Sequence, residues 1–175
     1  HDPNRMIPAN KLTELGAITA KNVCKPTAMI FDSHNVPIGY TTPFAPDVEP
    51  VCKIFTKSFK KANSITEQTV VGLVKTIQET LIEIHKAKCL VVDLNEMNLL
   101  ASTKDFTKVA FIDVDSYQTP SYKATAIMDS VRDRLIKQNQ WTELSDWFSF
   151  AVIAFQLYIG IHPYKGKHPN YKPND

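Results

Sequence analysis

The chain has 175 residues, of which 43% are hydrophobic and 22% are charged, and its formal net charge is +2. This length and composition are typical of a globular protein with a real core, and they exclude a disordered or fibrous chain. The charge is too small to indicate nucleic acid or a membrane surface as a partner. Three cysteines without CxxC spacing and without a signal peptide predict free thiols in the cytoplasm.

The first third of the chain predicts one helix and then two short strands. Apolar residues at helical spacing in residues 8–23 indicate the helix, with Asn10 as a candidate N-cap. Ala28–Phe31 and Ile38–Thr42 read as strands around a DSHN turn. The segment PFAPDVEP that follows predicts a linker, because proline cannot continue a central strand.

The middle of the chain predicts a long amphipathic helix and a β-hairpin. Ser64 and Glu67 have the spacing of a capping box that opens the helix, which is expected to end near residues 85–88. Its buried stripe comprises Val70, Leu73, Val74, Ile77, Leu81 and Ile84. Residues 99–102 and 108–118 then indicate two strands, which the loop STKDFT joins as a hairpin.

The last predicted element is a helix that begins at Ser145 and stops at Gly160 and Pro163. It is apolar nearly all round, which predicts the centre of a mostly helical body. Its apolar run, residues 147–161, covers about 15 positions and contains Gln156, so it is too short to predict a membrane span.

Acids and amides interrupt the apolar segment LVVDLNEMNLL at residues 90–100. Asp93 and Asn98 share this loop, and the hairpin would return Asp113 beside it. Oxygen-bearing side chains that converge in this way can hold Mg²⁺, which takes one or two protein carboxylates and keeps water or phosphate oxygens. By composition alone, turn and cap residues of a loop are the favoured interpretation of Asp93 and Asn98.

Three motifs that occur in matching order and spacing reverse this preference for turn and cap residues. VVDLNEMNLL resembles the D-x-x-x-x-N catalytic loop of the protein-kinase fold, FIDVD resembles its D-F-G segment, and SDWFSFAVIAFQLYIGIHPY resembles the helix that follows. The chain resembles in particular the bacterial and phage atypical kinase-like proteins with G-D-x-N-x-x-N and I-D-x-D-S-F/Y-Q motifs. The resemblance covers about residues 27–166 and implies an α+β fold with a mostly helical large lobe.

The resemblance also implies roles for single residues. Asp93 would be the catalytic base, and Asn98 and Asp113 would bind Mg²⁺ and, through it, ATP. Asp146 would accept hydrogen bonds from the backbone of the catalytic loop. Leu100 would form the floor of the adenine pocket. The segment 41–45, with Thr42, Pro43 and Phe44 at its centre, would be the hinge that meets the adenine edge.

Several side chains near these motifs have simpler expected roles. Asp115 is expected to be a solvated turn residue rather than a third metal ligand, and His85 is expected to close the long helix, since a cation is favourable in a last helical turn. Glu14 is a candidate for the acid that pairs with the kinase lysine. Arg132, Asp133 and Arg134 are candidates for an ion-pair lock in place of the A-P-E motif.

The sequence also departs from the kinase pattern. It contains no glycine-rich phosphate loop and no V-A-I-K strand, so we expect residues 1–45 to be the remnant of a truncated small lobe and 46–175 a large lobe that need not be complete at its C-terminus. Val91 and Val92 replace the usual His-Arg, and Val114 and Asp115 replace Phe-Gly. Loss of that arginine removes the usual partner of a phosphorylated activation loop.

Three functions are compatible with these features. The first is an ATP- and Mg²⁺-dependent phosphotransferase that acts on Ser or Thr hydroxyls of a protein substrate. The second is a pseudokinase, a kinase-shaped scaffold that binds partners with little or no catalysis. The third is a small-molecule kinase, which the DVDSYQ segment makes the least favoured.

Overall fold

A computed structural model describes residues 6–137 and 140–166. Over these ranges the chain is an α+β fold with four α-helices and two small antiparallel sheets, which confirms the predicted class. The elements are α1 Ala9–Gly16, β1 Ala28–Phe31, β2 Pro37–Thr41, β3 Val48–Pro50, α2 Lys57–Ala62, α3 Glu67–Lys86, β4 Leu99–Ser102, β5 Val109–Phe111 and α4 Glu143–Ile159. Two 3-10 turns cover Val51–Phe55 and Val114–Ser116.

Helix α1 is shorter than predicted, and its N-cap is Pro8. The prediction of Asn10 as the cap was wrong, because Asn10 already lies inside the helix. Leu15 in α1 and Ile18 just after it are buried as expected. Lys11 lies four residues before Leu15, and it shares the buried face of the helix.

Strands β1 and β2 form a hairpin, and their bounds agree with the prediction to within one residue. Asp32 closes the DSHN turn, because its Oδ1 accepts hydrogen bonds from the backbone N–H groups of His34 (2.9 Å) and Val36 (2.8 Å). Asn35 has a φ of 61°, a left-handed conformation that asparagine tolerates well. The two short β-like runs around the DSHN turn therefore predicted this hairpin correctly.

The second sheet has the order β3-β4-β5. The predicted hairpin of β4 and β5 is confirmed, with Leu100 opposite Ala110 in an antiparallel register. Its second strand is Val109–Phe111, so the predicted bounds of 108–118 were wrong, because the left-handed backbone of Asp113 and the Val114–Ser116 turn end the strand. The interpretation of PFAPDVEP as a linker was wrong at its end, where Val48–Pro50 forms strand β3. Pro50 is tolerated there because β3 is an edge strand.

The two long helices α3 and α4 each contribute a buried stripe to the core. The predicted stripe of α3 is buried except for Val74, which is partly buried. Its N-cap is Thr66, whose Oγ1 accepts a hydrogen bond from the N–H of Thr69 at 3.2 Å, so the assignment to Ser64 was wrong. Helix α4 begins at Glu143 behind a capping box that includes Ser145.

The C-terminal end of α4 is sharply defined by Gly160, which has a φ of 87°. A Cβ at this position would lie 2.7 Å from the carbonyl oxygen of Phe55, so glycine is required for both conformation and space. None of the described helices is long and apolar enough to cross a membrane. The three cysteines are free, as predicted, and Cys89 is buried.

Candidate functional site

Asp146, in the first turn of α4, ties the loop that contains Asp93 to the helical core. Its carboxylate is 0% exposed and accepts hydrogen bonds from the backbone N–H groups of Val91 and Val92, both at 2.8 Å. This is the backbone-holding role predicted for Asp146. The loop that precedes Asp93 is therefore attached to α4 by two charge-assisted hydrogen bonds.

His85 has a larger role than closing α3. It lies in the last turn of α3 as expected, but its ring is buried and its Nε2 donates to Oδ2 of Asp146 at 2.9 Å. The ring also packs edge-on against Trp147, with ring centroids 5.6 Å apart. His85 and Asp146 thus join the end of α3 to the start of α4.

The backbone of the loop is strained immediately before Asp93. Val92 has a φ of 62°, which is a genuine outlier for a β-branched residue and costs on the order of 1–3 kcal/mol. The hydrogen bond from its N–H to Asp146 holds it in this conformation. Further along, Asn95 Oδ1 accepts from the N–H groups of Met97 (2.8 Å) and Asn98 (3.1 Å), so Asn95 is a turn residue.

Asp93, Asn98 and Asp113 lie around one junction between this loop and the β4–β5 hairpin. Asn98 Nδ2 donates to the backbone oxygen of Asp93 at 3.1 Å. The N–H of Ile112 donates to the backbone oxygen of Asn98 at 3.0 Å, which brings Asp113 next to Asn98. Asp93 Oδ1 accepts from the N–H of Met128 at 2.8 Å, so one carboxylate oxygen is held and Oδ2 is left for another donor.

The carboxyl group of Asp113 is perturbed by its surroundings. Burial raises its pKa above the usual 3.8, and the negative charges of Asp115 and Asp93 raise that pKa further. A hydrogen bond from Ser116 acts in the opposite direction. The backbone of Asp113 is left-handed, with a φ of 57°, and the Val114–Ser116 turn follows it directly. The carboxylates of Asp113 and Asp93 are thus close enough to repel each other.

The donor set fits a hard divalent cation. Asn98 Nδ2 is bonded to the backbone oxygen of Asp93, so Asn98 Oδ1 is one candidate metal ligand, and the Asp113 carboxylate on the adjoining turn is the second. Two protein ligands leave the remaining positions of Mg²⁺ for water and phosphate oxygens. Among residues 6–137 and 140–166, no three His, Cys, Asp or Glu side chains are grouped so that they could hold a metal ion.

Of the predicted adenine-contacting residues, Thr42, Pro43 and Phe44 are exposed and Leu100 is half-buried. Residues 42–44 connect the two sheets, and Phe44 is 88% exposed. Leu100 is half-buried on the face of the β3-β4-β5 sheet opposite to the buried Leu99 and Ala101. The predicted boundary between residues 45 and 46 falls within this same connection.

Lys11 and Tyr40 are two further residues at the Val114–Ser116 turn that the sequence did not single out. Lys11 Nζ donates to the backbone oxygen of Asp115 at 2.6 Å. Burial lowers the pKa of Lys11, and the negative charge of Asp115 counteracts this effect. Burial and then Asp115 raise the pKa of Tyr40. The available signal was the position of Lys11 on the apolar stripe of α1.

One minor expectation for an ion pair stays a prediction, and another was wrong. The Glu14 carboxylate accepts a hydrogen bond from the N–H of Ser121 at 3.2 Å, and its pairing with the kinase lysine stays a prediction. Arg132 lies 3.9 Å from Asp129, and the Asp133 carboxylate accepts from the N–H of Leu135 at 2.9 Å. The side chains at 132–134 therefore do not form the predicted lock.

A cavity of ≈ 440 Å³ lies on another part of the surface, beside the end of α3. Its lining includes His85, Cys89, Gln118, Thr119 and Glu143, and it shares no residue with the Asp93, Asn98 and Asp113 group. The chain matches no protein-family model and no curated protein. The geometry of the loop with Asp93 and Asn98 and of the adjoining turn at Asp113, together called the acidic loop, is therefore the main indication of the chemistry that the chain can perform.

Proposed function

We propose that this chain is an ATP- and Mg²⁺-dependent phosphotransferase of protein-kinase type that acts on Ser or Thr hydroxyls. The observation that carries the proposal is the Ile112 N–H to Asn98 carbonyl hydrogen bond, which joins the two loops and brings Asp113 beside Asn98. Asn98 and Asp113 would hold Mg²⁺, which offsets phosphate charge during phosphoryl transfer. The resemblance of residues 27–166 to a kinase-like large lobe supports the same assignment.

Asp93 would orient the attacking hydroxyl. Its Oδ1 is held by the N–H of Met128, and its loop is held by Asp146, so the free Oδ2 has a defined direction. A carboxylate that is positioned before the substrate arrives contributes by orientation and by accepting the hydroxyl proton. Met128 belongs to the segment that follows Asp113, and this segment would lie next to the substrate.

A pseudokinase scaffold is the alternative. The exposure of Phe44 favours it, because an adenine pocket needs an enclosed apolar wall. The position of the ≈ 440 Å³ cavity, away from the acidic loop, favours it as well. A small-molecule kinase is a third candidate, which a substrate screen would separate from the first.

The test is transfer of the γ-phosphate of ATP to a mixture of Ser- and Thr-containing peptides, for wild type and Asp93→Ala. We expect wild-type turnover and a loss of about 10²-fold or more in the variant, since a positioned base contributes about 10² to 10⁴. Lys104→Ala, on the exposed β4–β5 loop, is the control variant and should keep wild-type activity. Binding of Mg²⁺-ATP without transfer would support the scaffold, and equal rates for wild type and Asp93→Ala would refute the assigned base.

A further inference from the structure

The walls of the ≈ 440 Å³ cavity are held by hydrogen bonds of the backbone. The end of helix α3 forms one wall. Leu90 and Gln118 form the next, and their backbones are joined by two hydrogen bonds of 2.9 Å, one in each direction. The third wall is a turn that two hydrogen bonds between Thr119 and Tyr122 close, at 2.8 and 3.2 Å. The cavity is thus preformed, and its volume lies within the range of about 300–1,000 Å³ that is usual for ligand pockets.

The cavity is lined by more positive than negative side chains. Lys88 and Lys123 are its two lysines, and Glu143, on the side of helix α4, is its one carboxylate. The Glu143 carboxylate lies 3.8 Å from Nδ1 of His85. Among the described residues, neither lysine ammonium forms an ion pair or a hydrogen bond. Both ammonium groups are therefore able to pair with an anion that enters the cavity.

Lys88 occupies a backbone position that is unfavourable for lysine. It follows Ala87, the C-cap of α3, and its φ of 59° is left-handed. Glycine or asparagine usually fills this position, because a residue with a larger side chain is strained there. Here the strained backbone places an ammonium group at the cavity. Since no contact of this group within the described residues offsets the strain, a role of Lys88 in ligand binding would explain it.

The Leu90–Gln118 wall also contains a hydrogen-bond acceptor without a donor. Gln118 Oε1 is buried and makes no hydrogen bond with the described residues. A buried acceptor of this kind usually has a partner, either in the protein or in a bound molecule. A ligand hydroxyl group at this wall would supply the missing donor.

We propose that this cavity binds a small organic molecule that carries a phosphate or carboxylate group together with hydroxyl groups. The oxyanion would pair with Lys88 and Lys123, since hydrogen bonds between charged groups are stronger than neutral ones. A hydroxyl group of the ligand would lie along the Gln118 wall. The cavity shares no residue with the Asp93, Asn98 and Asp113 group, so the proposal is independent of the phosphotransferase function.

The experiment titrates the full chain with glycerol 3-phosphate, glutarate or glycerol at one ionic strength and follows the backbone amide signals of Leu90, Gln118 and Ser121 by NMR. The first two probes distinguish a phosphate from a carboxylate, and glycerol is the uncharged control. We expect shifts that saturate with at least one of the two anions and no saturation with glycerol. Absence of saturation with both anions would overturn the proposal, and so would equal binding of glycerol.

Three variants then test the assigned cations. Lys88→Gly and Lys123→Ala should each weaken binding of the anion by about tenfold, as for loss of one charge-assisted hydrogen bond. Glycine suits the left-handed backbone, so the urea midpoint of Lys88→Gly should equal or exceed that of wild type, which separates lost binding from lost folding. Lys75→Ala, on the exposed face of α3, is the matched control and should bind as wild type does.

The variants can also contradict the proposal. Wild-type affinity in either Lys88→Gly or Lys123→Ala would show that the two lysines do not hold the anion together. Equal weakening in Lys75→Ala would show a general attraction of anions to lysine rather than a site. Either result would overturn the proposal and leave the phosphotransferase function standing.

Discussion

Replacement of Asp146 by asparagine tests how the loop that precedes Asp93 is held. The carboxylate accepts three hydrogen bonds, at 2.8 Å from Val91, 2.8 Å from Val92 and 2.9 Å from His85. Asparagine keeps the shape but replaces one acceptor oxygen by an NH₂ group, so at least one buried N–H faces another donor. The bonds that remain also lose their charge assistance. We expect Asp146→Asn to lower the free energy of unfolding by about 3 kcal/mol.

Urea denaturation followed by circular dichroism measures this change. For a slope near 2 kcal/mol per molar urea, a loss of about 3 kcal/mol lowers the midpoint by about 1.5 M with the slope unchanged. A domain with a typical stability of about 5–15 kcal/mol stays folded after such a loss. The amides of Val91 and Val92 should exchange faster with solvent in the variant, because their acceptor is weakened or gone.

Glu143→Gln is the matched control. Glu143 is also in the first turn of α4 and lies 3.8 Å from His85 Nδ1, but its side chain is 62% exposed. Its replacement should change the free energy of unfolding by no more than about 0.5 kcal/mol. If Asp146→Asn changed the free energy of unfolding as little as Glu143→Gln, the three hydrogen bonds could not be what holds the loop. Asp146 would then not position Asp93 before a substrate binds.

Two further predictions concern a titrating acid and a glycine. Because its folded-state pKa is raised above 3.8, Asp113 keeps its proton after the unfolded chain has lost it, so its own contribution to stability should fall as pH rises between the two values. In Asp113→Asn this contribution should be missing from pH-dependent melting curves compared with wild type, and stability at neutral pH should rise. The stabilisation of about 2.7 kcal/mol expected at an Mg²⁺-ATP concentration of 100 Kd should also be lost. Gly160→Ala should lower the free energy of unfolding, measured by urea denaturation, by about 2 kcal/mol or more, since φ is 87° and the Cβ would meet Phe55. In the control Gly16→Ala, the Cβ meets no atom within 4 Å, so the loss should be small. Equal losses in the two variants would show that the φ of Gly160 and the contact with Phe55 do not determine the cost.

The sequence predicted those elements whose signals are local. The two hairpins follow from short β-forming runs on either side of a turn, the buried stripe of α3 follows from apolar residues at helical spacing, and the structure has all three. The cap of α3 was misassigned, because hydroxyl side chains at Ser64 and Thr66 give almost the same pattern and only the backbone conformation separates them. Strand β3 was missed because its three residues pair only through tertiary contact with β4.

Side chains that act over long sequence separations were the hardest to predict. The role of Asp146 was predictable because its spacing from Asp93 and Asp113 matched a known pattern. His85 and Lys11 had no such pattern: their partners lie 61 and 104 residues away. A lysine on an apolar stripe is usually treated as a break in the pattern, whereas here it marks a buried polar contact at the candidate site.

Helices from both ends of the chain hold the acidic loop in place, although its carboxylates repel one another. Helix α4 holds the Asp93 side through Asp146, and helix α1 holds the Asp113 side through Lys11, while the Ile112–Asn98 hydrogen bond joins the two halves. Repulsion among neighbouring carboxylates disfavours this arrangement, as the raised pKa of Asp113 indicates. Under the proposed function, a divalent cation would relieve that repulsion. The hydrogen bonds that hold the loop and the charge that it concentrates would thus both favour metal binding.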